Sequence, residues 1–337
     1  MVRRLTFALL MPFAFLALNG CGGSSAENAT QTGNIIITFN FPPEENRLIP
    51  SATTQIIVTV GGEGLTRPLK GTATRTNPQV VFSNVPVGAK FILAFSRTNE
   101  ASSLPATMGF AIALVTAGQT TRLEMELQPV RPPTRITSEP SGLVDNDTDE
   151  TLFLRSVSGG IEWSGFASPR RTITFDTPLL LPNGSSIGQS VSGQVNLEQG
   201  QATARMKLIS VTGIGVPAGD FANCVVLELS LTGSVAGVPL RIALYRLFLA
   251  RNFGPVLLSK LLATDDQPYL GREVYSALVS GRVSGITPSP FSFASPVNKL
   301  GDPAYDGNLN AYLLQGLGNR YDFSEFQSQE NPPDRPF

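Results

Sequence analysis

Thr-Thr-Arg-Leu-Glu-Met-Glu-Leu, residues 120–127, settles the fold class of this chain. Leu123, Met125 and Leu127 alternate with Arg122, Glu124 and Glu126. A period of two puts the apolar set on one face and the charges on the other, as in a strand that is wet on one side. Working outward, the same grammar recurs. Upstream lie NIIITFNF (34–41), TQIIVTV (54–60), PQVVFSNV (78–85), KFILAFS (90–96) and TMGFAIALV (107–115). Between the third and fourth runs, Val85-Pro86-Val87-Gly88 places Pro at the second and Gly at the fourth position of a tight turn. Residues 34–128 are expected to form an antiparallel β-sandwich of about seven short strands.

Downstream, QPVRPPTRITSEPSG reads as an extended, Pro-rich linker, so 129–150 is expected to be linker ending in the acidic DNDTDE (145–150). Asp145, Asp147 and Asp149 alternate as in a calcium loop, but the sixth-position Gly and twelfth-position Glu are absent. A solvated, acidic linker end is the simpler reading. From Thr151 follow TLFLRSV, GGIEWSGF, RRTITFDTPLLL, QSVSGQVNL, ATARMKLISVTGI, CVVLELSL, VPLRIALYRLFLA, GPVLLSKLL and REVYSALVSGRV, aliphatic runs punctuated by Gly or Pro. They predict a second all-β part over 151–282, an antiparallel curved sheet or half-barrel. RIALYRLFLARNF (241–253) also fits a short helix. Residues 283–337 are expected to be an irregular extension with a disordered tail. Tyr321, Phe323 and Phe326 would form either a last edge strand or a partner-binding segment.

Charge narrows the function. Charged residues make up 15% of 337 and the formal net charge is −1, against about 25% charged in an average domain. No Lys/Arg cluster offers the basic patch that nucleic acid requires; Arg170-Arg171 reads as a solvated strand end. The chain holds no histidine, which excludes Ser-His-Asp triads, Cys-His pairs and His-ligated metals. No cofactor or metal site is expected, and the chain is not expected to be an enzyme. Any hydrolase would have to use carboxylates, with Asp220, Glu228 and Asp265 as candidates, although no motif sets two of them across a cleft.

The first twenty residues have the layout of a secretory signal: Arg3 and Arg4, then an uncharged apolar run from Leu5 to Leu18 that is too short to span a bilayer. Leu18-Asn19-Gly20-Cys21 followed by Gly-Gly-Ser-Ser resembles the lipobox of bacterial lipoproteins, with Asn19 departing from the usual small residue. That resemblance implies cleavage after residue 20, lipid on Cys21 and a flexible tether over 21–33. Gly22, where Asp would retain an inner-membrane lipoprotein, implies the outer membrane where the cell has one. The partner so implied is the membrane itself, through acyl chains at Cys21. The alternative is an ordinary cleaved signal. With Cys21 acylated, only Cys224 of the two cysteines remains, and no intramolecular disulfide can form. FANCVVLEL makes Cys224 a buried, inert thiol.

Two further resemblances concern the β parts. VVFSNVPVGAKFILAF followed by AGQTTRLEMEL is similar to the carboxypeptidase-regulatory, transthyretin-like domains of bacterial envelope proteins, which implies a structural or adhesive module. GIGVPAGDFANCVVLEL with YRLFLARNFGPVLLSK resembles a bacterial envelope domain marked by V-P-A-G-x-F and a following cysteine: Val216, Pro217, Ala218, Gly219, Phe221 and Cys224 here. Phe253 and Pro255 depart from its second block. Such domains are similar to the half-barrels of lipoprotein-localisation factors. Three functions are therefore expected, in this order: a lipid-anchored envelope protein with a structural or protein-interaction role, a carrier or sensor of an apolar, lipid-like ligand on the concave face of the curved sheet, and a carboxylate hydrolase.

Overall fold

The computed structural model describes residues 31–41, 53–97, 104–169, 171–197, 200–235, 238–262, 274–282, 304–313 and 319–327. Among these residues twenty strands and one 3-10 turn form, and no helix is long and apolar enough to cross a membrane. The fold is all-β, as the alternation at 120–127 implies. RIALYRLFLA is strand throughout.

Eight strands build the first part: β1 (Thr32–Phe39), β2 (Gln55–Gly62), β3 (Leu65–Ala73), β4 (Gln79–Pro86), β5 (Gly88–Arg97), β6 (Thr107–Val115), β7 (Thr120–Met125) and β8 (Gln128–Pro129). A three-stranded sheet in the order β4-β1-β7 faces a five-stranded sheet in the order β3-β2-β5-β6-β8. Pairing is antiparallel except between β1 and β7, which run parallel. Ile35, Ile37 and Phe39 meet Ile56, Val58, Ile92 and Ala94 in the core between the sheets.

Twelve strands build the second part: β9 (Thr134–Glu139), β10 (Gly142–Asp145), β11 (Glu150–Val157), β12 (Gly160–Ser168), β13 (Arg171–Pro182), β14 (Ser190–Leu197), β15 (Gly200–Val216), β16 (Gly219–Val235), β17 (Val238–Ala250), β18 (Gly254–Leu262), β19 (Val274–Arg282) and β20 (Asn319–Gln327). They form one antiparallel sheet in the order β13-β12-β11-β10-β9-β20-β19-β18-β17-β16-β15-β14. It curls until its two edges touch by side chains. Asn196 Nδ2 donates to Asp176 Oδ2 at 3.0 Å, and Gly193 lies under Leu179. β13 is irregular beside this edge, where four residues, Phe175–Pro178, stand opposite the single Ser164 of β12. Pro178 has no N–H to donate.

The inward face is read from the alternation. Ala202, Ala204, Met206 and Leu208 of β15 and Leu227, Leu229 and Leu231 of β16 are buried, while Gln201, Thr203, Arg205, Ser230 and Thr232 face outward. A polar outer row of this kind is wetted by water, as on any one-sided antiparallel sheet.

Two expectations are corrected. Residues 129–150 are not a linker: β9 and β10 lie inside the large sheet, and Pro140-Ser141 supplies only the turn between them. DNDTDE is the β10–β11 hairpin loop, with Asp145 Oδ1 accepting the N–H groups of Asp147 and Thr148 and Asp147 Oδ2 accepting that of Arg135. Nor is 283–337 irregular throughout, since β20 is an interior strand between β9 and β19. The expected disordered tail and the 283–303 connection lie outside the described residues.

The two parts share a core. In β5, Ile92 and Ala94 point into the sandwich, while Phe91, Leu93 and Phe95 join the core of the large sheet. This double burial explains why FILAF (91–95) is continuously apolar instead of alternating. Phe91 meets Phe248 edge-on at 5.1 Å, and Phe110 stacks on Tyr275 at 4.3 Å. Thr59 Oγ1 donates to Gly215 O at 2.8 Å, and Thr212 hydrogen-bonds Gly62. The backbones approach so closely here that a Cβ on Gly61 would fall 2.0 Å from Gly213 O.

One end of the large sheet is stopped by residues 304–313, which carry the 3-10 turn Leu309–Ala311 and bury Leu309, Tyr312 and Leu313. The segment is held to two turns of the sheet. Gly184 N donates to Gly307 O at 2.8 Å, Leu309 N to Asn183 Oδ1 at 2.9 Å, and Asn252 N to Ala311 O at 2.6 Å. Arg251 Nη2 pairs with Asp306 Oδ2 at 2.7 Å. At this contact Asn310 Oδ1 is buried without a partner, while the Tyr312 hydroxyl lies against the Arg251 guanidinium. A buried acceptor left unpaired forfeits about 1–3 kcal/mol.

Candidate functional site

The opposite end of the large sheet gathers its inward charges around Lys260. This residue lies near the end of β18, in register with Tyr245 of β17 and Val274 of β19. Its ammonium crosses the interior to strands far away in the sheet. Nζ is 2.8 Å from Glu150 Oε2 on β11, 3.6 Å from Asp145 Oδ2 on β10 and 3.8 Å from Glu325 Oε1 on β20. Arg131 Nη1 approaches Glu325 from outside at 3.9 Å, and Ser276 Oγ on β19 donates to Glu325 Oε1 at 3.5 Å. Asp145 and Glu150 are held by hairpin register, being directly opposed across the loop.

The electrostatics follow from the arrangement. Burial alone would lower the pKa of the Lys260 ammonium, but Glu150, Glu325 and Asp145 outweigh it, and the net shift is upward. Burial raises the Glu325 carboxyl above the ordinary glutamate value, against the pull of Lys260. Burial, with Glu150 nearby, drives the Tyr245 phenol far above its usual range. A lysine that stays protonated is neither a nucleophile nor a base, and a tyrosine so raised stays neutral. What this site can do is fasten: one cation ties the β10–β11 hairpin to β18 and β20 across the interior. Among the described residues no group of three or more His, Cys, Asp and Glu side chains is placed to hold a metal ion.

The residues singled out from the sequence are placed as follows. Cys21, Arg170 and Asp265 lie outside the described residues. Asp220 pairs with Lys70 at 2.6 Å where the two β parts meet. Glu228 pairs with Arg246 at 3.1 Å on the outer side of β16. The structure does not bring these two carboxylates together. Cys224 is fully buried, its Sγ 3.8 Å from Phe221 O, and forms no disulfide. Phe221 of the VPAGDF stretch drops into the core against Phe253, whose ring in turn meets Tyr321 edge-on at 5.5 Å.

Sequence reasoning missed Lys260, Asp145, Glu150 and Glu325 as a set. One signal was present. Tyr321, Phe323 and Glu325 share a face by period two, so a strand there puts a carboxylate among inward aromatics. The rest depends on which strands meet across a curled sheet, which no local pattern reveals. Neither a scan against protein-family models nor a search of curated proteins finds a match for this chain.

Proposed function

We propose that the protein is a lipid-anchored component of the cell envelope whose two β parts serve as a non-catalytic structural or protein-binding body. The observation that carries this reading is Leu18-Asn19-Gly20-Cys21, set behind a short basic and apolar leader and ahead of a Gly/Ser tether. Acyl chains on Cys21 supply about 0.8 kcal/mol per buried CH₂, so that two or three chains hold a protein stably where one is marginal. The polar outer row of β14–β16 suits a body held in water beside the membrane, not one embedded in it. The ionic partners of Asp220, Glu228 and Lys260 suit structural roles for these charges. Replacement of Cys21 by Ser tests the anchor: the chain should move from the membrane fraction to the soluble fraction. Retention in the membrane at the parental level would refute it.

A second reading, a carrier of an apolar ligand, has one observation in its favour. Part of the filling of the large sheet, Leu309, Tyr312 and Leu313, comes from an inserted segment and not from the strands themselves.

A further inference from the structure

We infer that residues 304–313 are a displaceable plug, a segment that leaves the end of the large sheet while the strands around it stay paired, and so uncovers the recess that Leu309, Tyr312 and Leu313 fill. Three observations carry the inference. First, the segment is an insert between β19 and β20 and adds no strand to the sheet, so its departure breaks no ladder hydrogen bond. Among the described residues its polar attachments are to turns and side chains, not to strand backbones: the backbone bonds Gly184–Gly307 and Asn252–Ala311, the Asn183 side chain on Leu309 N, the Tyr305 hydroxyl on Ser185 O at 2.8 Å, the Arg251–Asp306 pair and the contact of Arg251 with the Tyr312 hydroxyl.

Second, the contact is polar in the wrong places. Asn310 Oδ1 is buried without a hydrogen-bond partner, and the Tyr312 hydroxyl is buried against the charged Arg251 guanidinium, so water would reach both groups once the segment moved out. Burial accordingly pushes the Tyr312 hydroxyl up to about 12. The apolar gain of seating Leu309, Tyr312 and Leu313 is thus offset at the same interface, which is the mark of a low-stability region in an otherwise well-packed fold. Third, the latch is on the surface. Asp306 is held by the Asn308 N–H at 3.0 Å and by Arg251, and its side chain is half exposed, so one substitution loosens the plug without touching the core.

Cys224 reports the motion, because its thiol is fully buried in the core of the large sheet, in the same apolar cluster as Leu309, Tyr312 and Leu313. The full chain is alkylated with iodoacetamide at increasing urea, and the Cys224 peptide is followed by mass spectrometry alongside global unfolding read from Trp163 fluorescence. A plug that opens by itself gives Cys224 alkylation whose rate is flat in low urea. In that case Asp306→Asn accelerates it at least tenfold, with little change in the global midpoint. The inference is overturned if alkylation follows global unfolding over the whole urea range and Asp306→Asn does not separate the two. Hydrogen exchange in the parent protein gives a second test that needs no variant. The Asn252 amide, bonded to Ala311 O, should exchange at least a hundredfold faster than the Leu227 and Leu229 amides of β16, and equal protection would contradict the plug.

Discussion

Lys90 sits fully buried in β5, its Nζ donating to the Val87 carbonyl at 3.1 Å. Burial lowers its pKa from 10.5 to about 8, against the pull of Glu63. Between those two values the unfolded chain holds a proton that the folded chain lacks, so stability rises with pH across that window. Below about pH 8 the cost of burying the ammonium is fully present. Lys90→Met should therefore raise stability at pH 7 by on the order of 2–3 kcal/mol and remove the rise above pH 8. Thermal melts from pH 7 to 10 check both, and a lower melting temperature for the variant would contradict the assignment. Lys260 is the opposite case. Lys260→Met leaves Asp145, Glu150 and Glu325 facing one another, and should cost about 3 kcal/mol at pH 7. Burial holds the Glu325 carboxyl above the ordinary glutamate value, and its protonation removes one of the three facing charges, so the gap between variant and parent should narrow as the pH falls into the acid range, read by urea denaturation at each pH. Lys90 was half legible in the sequence, because it shares a face with Ile92 and Ala94 by period two. That its amine ends against Val87 O, and not in solvent, depends on how β4 turns into β5, which the pattern does not carry.

β20 shows what an element can hide. Its residues, Asn319–Gln327, read as an edge strand or a tail because residues 283–318 separate them from β19. Hairpin logic pairs neighbours in sequence, and the insertion of β20 between β9 and β19 is a long-range choice made by the whole sheet. The same limit applied to β9 and β10. Their Pro, Ser and Gly content is turn chemistry, but the four- and six-residue strands around it are too short to announce themselves. Where a run pairs with its own neighbour, as β15, β16, β17 and β18 do, Gly or Asn turns and aliphatic alternation were enough. An interior strand is indispensable in a way that a tail is not. A chain ending at Gly318 should lose its cooperative unfolding transition and accumulate as insoluble protein, since two unpaired edges would face solvent. A soluble truncated chain with a parental melting curve would remove β20 from the interior of the sheet.

As a whole, the described molecule is a sandwich pressed on a nearly closed twelve-stranded sheet, the two sharing Phe91, Leu93, Phe95 and Met108 in one core. The all-β class was legible in periodicity and turn residues. The joint between sandwich and large sheet was not, because Gly61 against Gly213 and Thr59 against Gly215 are contacts between segments that carry no common signal. The polar outer row of the large sheet is compatible with the proposed body held beside a membrane by a separate tie. In this account the tie is Cys21. Mass spectrometry of the N-terminal peptide of the mature protein, extracted from membranes, tests that claim most directly. The account predicts a chain beginning at Cys21 whose mass exceeds the unmodified peptide by a diacylglyceryl group on the thiol, with or without a further acyl chain on the amine. An unmodified cysteine, or a mature chain beginning elsewhere, would contradict it.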